Sequence, residues 1–293
     1  MRRIVLCTVL VFSLVLLFQN FAQGGQFFGA LEPITKKGEF SVGVGYFHSA
    51  DNFRQENAIN QVDVSLDSFS FALPISIPKF NVKAKQNQYF IQGSYGFIDG
   101  GEVYLRGGFA DIKFDRVFVK EDFNLSDFDD DPKIFGTLGV RLRNDLNPIF
   151  SVGMFLQGTV YSTYEDTESV NFPGLRIKEK VEVKNAPWEI NLGVGLQAKL
   201  YADNTTKIIL YGGPMVYWEQ FDVKESAEVD IDPAIYPVGF TFLTAEASTS
   251  YKEKNNLGGF LGLRLSLAKQ FHIEVEAQKK SRISVGGALT YSF

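Results

Sequence analysis

Charged side chains recur in this sequence at every second position between apolar residues, and they are the residues best placed for chemistry. Because successive side chains of a β-strand point to opposite faces, such charges would share one face of a sheet. Both signs occur there in near balance, which favours an ion-pair network filling an enclosed interior over a charged, water-filled path. The predicted network comprises Glu102, Arg106, Arg141, Arg143, Glu189, Lys199, Arg264, Glu274 and Glu276.

Nucleophilic and metal chemistry have weaker support. Two histidines occur, His48 and His272, in strands far apart along the chain. His48 directly precedes Ser49, but neighbours on a strand face opposite sides, so they do not form the dyad of a hydrolase. The one cysteine, Cys7, has no histidine or cysteine partner at metal-ligand spacing. We therefore expect no catalytic site, no metal and no cofactor.

An acidic run lies at residues 121–131. Carboxylates of this density suit a hard cation such as Ca²⁺. The run lacks the glycine and the spaced glutamate of an EF-hand loop. We expect a solvated loop rather than a calcium site.

The elements that would position the charged residues are strands, since the chain after residue 25 alternates apolar residues with polar or small ones. Ten stretches show this period of two, and no helical period of comparable length accompanies them. The clearest stretch is residues 283–293. The least regular is residues 207–218, because Ile208, Ile209 and Leu210 follow one another.

The connections alternate between short and long, an arrangement typical of bacterial outer-membrane barrels with periplasmic turns and external loops. Short connections are predicted near residues 98–101, 145–148, 201–206 and 268–270, and long ones near residues 49–86, 115–133, 164–186 and 219–255. We expect an all-β fold, a transmembrane antiparallel up-and-down barrel of ten strands. Twelve strands are the alternative if residues 62–72 and 75–85 form a further hairpin.

Glycine and serine crowd the polar face of these strands, while leucine, valine and aromatic residues occupy the other. Small residues suit the inside of a narrow barrel and leucine suits hydrocarbon, so we expect the apolar face to point outward into lipid. A water-soluble β-sandwich or lipocalin-like barrel is the alternative and would place that face inside. Phe40 and Phe293 at one end, with Tyr89 and Trp188 at the other, predict two aromatic girdles.

The first residues predict export. Arg2 and Arg3 precede an apolar run at residues 4–18, and small residues follow at Ala22 and Gly24. This is the pattern of a cleaved signal peptide. We assign three regions to the chain, namely a signal peptide at 1–23, a short periplasmic segment at 24–37 and the barrel at 38–293.

The C-terminal residues Leu289, Tyr291 and Phe293 resemble the terminal β-signal of outer-membrane proteins, which ends in phenylalanine with an aromatic residue two positions earlier. The hairpin at residues 95–105 is similar to hairpins of small opacity-type and OmpA-like barrels of the porin superfamily. The resemblance implies location in the outer membrane of a Gram-negative-type cell and recognition by the barrel-assembly machinery. It implies no particular activity.

Basic residues near the predicted external rim would suit lipopolysaccharide, because lysine and arginine bind phosphate well. These residues are Lys113, Arg116, Lys120, Lys252, Lys254, Lys279, Lys280 and Arg282. Outer-membrane lipid and lipopolysaccharide are therefore the expected partners. A net charge of −5 argues against nucleic acid, and the sequence indicates no oligomeric state.

These observations favour a non-enzymatic envelope or surface protein whose external loops carry its specific function. A small diffusion pore for solutes is the second hypothesis. An outer-membrane enzyme that modifies lipid or peptide is the third.

Overall fold

The computed structural model describes residues 26–55, 62–66, 69–73, 81–115, 128–129, 132–163, 165–172, 175–183, 187–231, 242–253 and 256–293. The predicted signal peptide lies outside these residues. Within them no helix is long and apolar enough to cross a membrane. The strands are β1 (Phe40–Gln55), β2 (Val62–Leu66), β3 (Phe69–Leu73), β4 (Asn81–Ile98), β5 (Gly101–Asp115), β6 (Phe128–Asp129), β7 (Lys133–Asp145), β8 (Phe150–Tyr161), β9 (Glu165–Phe172), β10 (Leu175–Val183), β11 (Trp188–Ala202), β12 (Thr206–Ile231), β13 (Phe242–Glu253), β14 (Leu257–Leu267), β15 (Phe271–Lys279) and β16 (Ile283–Ser292).

Ten strands close into an antiparallel barrel, as the sequence predicted. Around the wall their order is β1, β4, β5, β7, β8, β11, β12, β14, β15 and β16, and β16 returns to β1. In the closing pair Ser292 lies opposite Ser41, and the Phe293 amide donates to the Phe40 carbonyl at 2.9 Å. Closure leaves no open sheet edge around this ring.

Short turns join β4 to β5, β7 to β8, β11 to β12 and β14 to β15 at one end of the barrel, here called the turn end. In the β11–β12 turn, the Tyr201 hydroxyl and the amides of Thr205 and Thr206 donate to Asp203. These hydrogen bonds hold the pKa of the Asp203 carboxyl far below its ordinary value. All four turns lie where the sequence predicted short connections.

The opposite end, here called the loop end, differs from the sequence prediction because much of the expected loop is strand. β12 continues to Ile231 and pairs there with β10 and β13, while β9 pairs with β10. Beyond the tight turn at residues 280–282, toward the loop end, β13 closes the wall between β12 and β1. It pairs with both strands, and Glu253 lies opposite Phe53 of β1. The extension of β12 alternates apolar with polar residues, for example Val223 with Lys224 and Val229 with Glu228, although a long loop was predicted there.

The twelve-stranded alternative is wrong. β2 and β3 do form a hairpin, but β2 pairs with β13 at the loop end and not with the strands of the closed ring. Residues 81–85 belong to β4, which pairs directly with β1. Residues 74–80 lie outside the described chain.

Apolar side chains cover the outside of the barrel, which confirms the predicted orientation. Leu105 and Leu138 are 63% and 61% exposed, whereas Arg106, next to Leu105, is buried. On β8 the outward residues extend from Phe150 to Val160, ten steps of about 3.3 Å. With a strand tilt near 40° this spans about 25 Å along the barrel axis, the height of the apolar band of a membrane barrel.

Aromatic pairs border this band at the turn end. The rings of Phe40 and Tyr95 lie 4.7 Å apart, and Tyr291 packs between Phe271 and Phe293 at 4.9 and 5.0 Å. Such girdles mark the two interfaces between hydrocarbon and water.

A second set of aromatic residues borders the band at the loop end. Tyr46 and Tyr89 pair there at 5.0 Å, and Trp188 and Trp218 face outward. The apolar band therefore has an aromatic border at both ends, as the sequence predicted.

The outward orientation predicts the cost of a charge at Leu138, near the middle of the apolar band. We expect Leu138→Arg to lower the free energy of unfolding from lipid vesicles by about 2–4 kcal/mol, because the guanidinium must enter hydrocarbon. Equilibrium unfolding followed by tryptophan fluorescence measures the change. Leu146→Arg, in the exposed β7–β8 turn, is the control and should change stability by about 0.5 kcal/mol or less. Equal stability of the two variants would contradict the orientation.

Candidate functional site

The interior of the barrel is occupied by the beginning of the described chain. Residues 26–35 lie inside the ring of strands, and Phe27 and Leu31 are each 1% exposed. We call residues 26–35 the N-terminal plug. The sequence predicted a short periplasmic segment over residues 24–37, but the structure brings the chain out of the barrel only at Lys36, which is exposed.

The plug runs along the barrel from the loop end to the turn end. The Gln26 side chain donates to the Tyr161 hydroxyl at 2.8 Å and accepts from the Thr159 hydroxyl at 2.5 Å, both near the loop end of β8. At the other end Lys37 pairs with Gly96, near the end of β4. The chain therefore descends through the lumen, reverses at the turn end and rises as β1.

Three buried glutamates of the wall accept hydrogen bonds from the main chain of the plug. Carboxylates that accept from amides form strong hydrogen bonds, and exclusion of water strengthens them. The bonds, at 2.9–3.0 Å, join the amides of Phe28 and Gly29 to Glu276, that of Ala30 to Glu274, and those of Ile34 and Thr35 to Glu102.

Three buried arginines of the wall donate to the carbonyl oxygens of the same segment. The bonds join Arg106 to Phe27, Arg141 to Phe28 at 2.9 Å and Ala30 at 3.0 Å, and Arg264 to Glu32 at 2.6 Å. Carboxylates and guanidinium groups of the wall therefore hold both kinds of main-chain group.

Four of these six charges also form two ion pairs within the wall. The Arg264 Nε lies 2.5 Å from Glu274, and the Arg141 Nε lies 3.6 Å from Glu102. A buried charge without a partner is very costly, and removal of one member of a buried pair typically costs 3–5 kcal/mol. The plug adds hydrogen bonds to all four of these groups, while the Glu102 Oε1 that faces Arg141 accepts none from the described residues.

The Tyr104 ring separates two of the guanidinium groups. It lies 4.6 Å from Arg106 and 4.7 Å from Arg141, within range of cation–π attraction. Its hydroxyl donates to Gln157 at 2.7 Å. The ring also packs directly on Gly139, where any side chain would collide with it.

Two aromatic pockets hold consecutive side chains of the plug. Phe28 stacks on Phe155 at 4.2 Å and meets the edge of Phe260 at 5.9 Å. Phe27 stacks on Phe90 at 5.9 Å. The buried residues that complete the pockets are Phe47, Ala110, Phe135 and Tyr161 around Phe27, and Tyr211, Met215 and Tyr217 around Phe28.

Gly29 is the tightest position of the plug. Its φ of +79° favours glycine, and a Cβ there would lie 2.9 Å from a Glu274 oxygen and 3.2 Å from an Arg141 nitrogen. Gly38, just outside the plug, has a similar φ of +85°, but a Cβ there would meet no atom within 4 Å. A side chain at Gly29 would therefore have to displace the ends of Glu274 and Arg141 from their hydrogen bonds to the plug, whereas one at Gly38 adds only backbone strain.

At the loop end, Lys280 forms an ion pair with Glu189, and its Nζ lies 4.6 Å from the Tyr217 ring. Lys280 is buried, which corrects its prediction as a lipopolysaccharide contact. Its neighbour Lys279 is exposed, since adjacent residues face opposite sides of the wall.

At the turn end, Glu32 of the plug pairs with Arg143 and with Lys207, the latter at 2.6 Å. Lys199 donates to the Pro148 carbonyl at 3.0 Å. Glu32, Arg143 and Lys199 border a polar pocket of about 10 Å³, room for about one water molecule. Of the nine charges predicted to face inward, Arg143 and Lys199 are thus half-buried at this mouth, and the other seven are buried.

The other basic residues proposed for the rim divide into three groups. Lys252 and Lys279 are exposed and Arg282 is half-buried; Lys113 lies in β5; Arg116, Lys120 and Lys254 lie outside the described residues. Contact with lipopolysaccharide stays a prediction for all of these.

The histidines lie apart, as expected. His48 Nδ1 is 2.6 Å from the Asn87 amide oxygen, while Ser49 donates to a different side chain. His272 is buried near the turn end and lies 2.9 Å from the Ser266 hydroxyl. The structure therefore does not bring His48 and Ser49 together as a dyad.

Of the acidic run, only residues 128 and 129 are described, as the short strand β6 paired with β5. The rest of the run lies outside the described chain. Among the residues that the structure describes, no cluster of three or more histidine, cysteine or acidic side chains could hold a metal ion.

Sequence reasoning missed the plug, although one signal was present. Residues 26–35 contain Phe27, Phe28, Leu31 and Ile34 outside any alternating stretch. Apolar residues that belong to no strand of a barrel need another place to be buried, and the lumen provides it.

A closed barrel with an apolar band about 25 Å tall, two aromatic girdles and buried charges in its interior has the architecture of bacterial outer-membrane barrels. The chain is therefore an integral β-barrel of the outer membrane. In such barrels the short turns face the periplasm and the longer connections face the outside, which predicts that orientation for the turn end and the loop end.

Comparison with protein-family models gives no match, and comparison with curated protein sequences gives none either. Solved structures with a similar fold include the outer-membrane protein OprG from Pseudomonas aeruginosa, at 12% identity and a TM-score of 0.34, covering 89% of this chain and 98% of that one. Ail, the attachment invasion locus protein of Yersinia pestis, matches at 12% identity and 0.25, covering 88% and 99%. The protease OmpT from Escherichia coli matches at 10% identity and 0.34, covering 87% and 97%.

Lys279 and Lys280 give a matched test of the interior. We expect Lys280→Gln to lower the free energy of unfolding by about 3 kcal/mol, because it leaves Glu189 charged and buried without its ammonium partner. Lys279→Gln, on the outward face, should change it by about 0.5 kcal/mol or less. Denaturant unfolding in lipid vesicles measures both. Equal effects of the two substitutions would contradict the placement of Lys280.

Proposed function

We propose that this protein is a non-enzymatic surface protein of the outer membrane whose lumen is kept closed by its own N-terminal plug. The observation that carries the proposal is the burial of the lumen charges. Glu102, Arg106, Arg141 and Arg264 are each at most 3% exposed. Charges that line a water-filled pore would be hydrated, whereas these are bonded to the plug and to one another.

A diffusion pore is the alternative function. It needs a continuous aqueous path, and the plug contacts both halves of the wall along the middle of the lumen. Glu274 and Glu276 on β15 hold it from one side, while Arg106 and Arg141 on β5 and β7 hold it from the other. This bridging favours a closed barrel.

The proposed surface lies on the strands that extend beyond the membrane. β12 and β13 form a paired ribbon there, in which Lys224 and Glu246 form an ion pair at 2.8 Å. β9 and β10 widen this ribbon on one side, and the β2–β3 hairpin widens it on the other. A paired sheet that continues beyond the apolar band supports a role in surface interaction rather than in transport.

Lipid and assembly partners belong to the same proposal. Lys252 and Lys279 are exposed near the external rim, where their ammonium groups would bind lipopolysaccharide phosphates. Leu289 and Phe293 face outward on the closing strand β16, 56% and 69% exposed. That placement supports recognition of Leu289, Tyr291 and Phe293 by the barrel-assembly machinery before the barrel closes.

Planar-bilayer recording tests the closed lumen. We expect the wild-type protein to give no stable single-channel steps. Gly29→Val should give them, because the valine side chain collides with Glu274 and Arg141 and displaces the plug while the wall is unchanged. The expected difference is between baseline current and reproducible steps.

Gly38→Val is the control for this experiment. It places the same side chain at a similar positive φ, but in open space. The plug should therefore stay in place, and the variant should give no single-channel steps. Stable steps from the wild-type protein would overturn the proposal and favour the diffusion pore.

A further inference from the structure

The contacts of the plug are those of a bound peptide. Its carbonyl and amide groups are held by charged side chains of five residues on β5, β7 and β15, together with Arg264 on β14. Further main-chain contacts come from the Gln197 side chain, which accepts from the Glu32 amide at 2.7 Å, and from Gln278, which donates to the Gln26 carbonyl. Such contacts recognise a peptide main chain regardless of its side chains.

Selectivity comes from three consecutive positions. The first two side chains, Phe27 and Phe28, enter separate aromatic pockets. At the third position a Cβ would lie 2.9 Å from a Glu274 oxygen and 3.2 Å from an Arg141 nitrogen, so a side chain there has to move two buried groups that are bonded to the plug. An aromatic pair followed by glycine therefore satisfies both the pockets and the tight position.

We propose that the lumen is a peptide-binding site for a segment with two consecutive aromatic residues followed by glycine, and that residues 26–35 are its tethered occupant. The same sequence supplied as a separate peptide takes the same place when the tethered copy is displaced. This proposal rests on the proposed function, since the site is the lumen that the plug closes.

The direction of binding follows from the path of the plug. Its amino end lies near Thr159 and Tyr161 at the loop end, and its carboxyl end lies at the periplasmic mouth. A peptide that enters from the periplasm therefore enters amino end first. In the wild-type protein the tethered copy has an effective concentration on the order of millimolar, so it excludes peptide at micromolar concentration.

The test uses the full chain as Gly29→Val, in which the wall of the site is unchanged. The probe is a synthetic peptide with the sequence of residues 26–35, amidated and labelled at its carboxyl end. We expect saturable binding by fluorescence anisotropy to Gly29→Val and none to wild type or to Gly38→Val. A peptide with valine in place of its glycine should bind at least ten-fold more weakly, and so should one with serine in place of its second phenylalanine.

Bilayer recording with the same variant gives an independent readout. Peptide added on the periplasmic side should abolish the steps of Gly29→Val, and the valine-containing peptide should leave them unchanged. A folded, conducting Gly29→Val that neither binds the peptide nor is blocked by it would overturn this inference and leave the closed wild-type lumen intact.

A second variant tests the inference if the plug of Gly29→Val still occupies the lumen. In it, residues 26–35 are replaced by a glycine–serine sequence of equal length, which offers neither aromatic ring. Binding of the peptide to this variant supports the inference, and absence of binding to the folded variant contradicts it. Conduction by the wild type would instead contradict the proposed function.

Discussion

A charge enclosed by a barrel and surrounded by lipid must find its partners within the protein, since neither hydrocarbon nor bulk water can supply them. Here six such charges lie on inward positions of β5, β7, β14 and β15. Ion pairs such as Arg264 with Glu274 satisfy part of their hydrogen-bonding capacity. The main chain of the plug satisfies more of it, so the wall and the plug depend on each other.

This dependence explains why a segment without regular structure has one defined path. Each arginine carries five N–H donors and each carboxylate has two acceptor oxygens. The plug presents its carbonyls and amides at the positions along the barrel axis where these side chains lie. The aromatic pockets then fix the register of the plug. A shift by one residue would move Phe27 into the pocket of Phe28 and would break the main-chain contacts. Gly29 permits the close approach of Glu274 and Arg141 that completes the arrangement.

The barrel could be predicted from the sequence because its signal is local. Period-two alternation sets the outward face of each strand, and short turns separate the strands, so ten strands and the inward placement of residues such as Arg106 and Glu276 followed. The plug could not be predicted in this way. Its contacts join Phe28 to Glu276 and Arg141, residues 248 and 113 positions away.

The errors at the loop end have separate origins. Lys279 and Lys280 are adjacent residues of the same type. Only the register of the β15–β16 turn decides which of them faces inward. The extensions of β10 and β12 do carry the strand period in their sequence, since Val181 and Val183 in β10, and Val223 and Val229 in β12, alternate with charged residues. They were nevertheless predicted as loops, because they lie between the stretches assigned to the membrane strands.

The plug lies inside the barrel, and amide hydrogen exchange in lipid vesicles tests this placement directly without any substitution. The amides of Phe28, Gly29 and Ala30 donate to buried glutamates, so they should exchange as slowly as the amides of the barrel strands β7 and β8. Exchange of these three amides at the rate of an unstructured peptide, with the strands still protected, would contradict it.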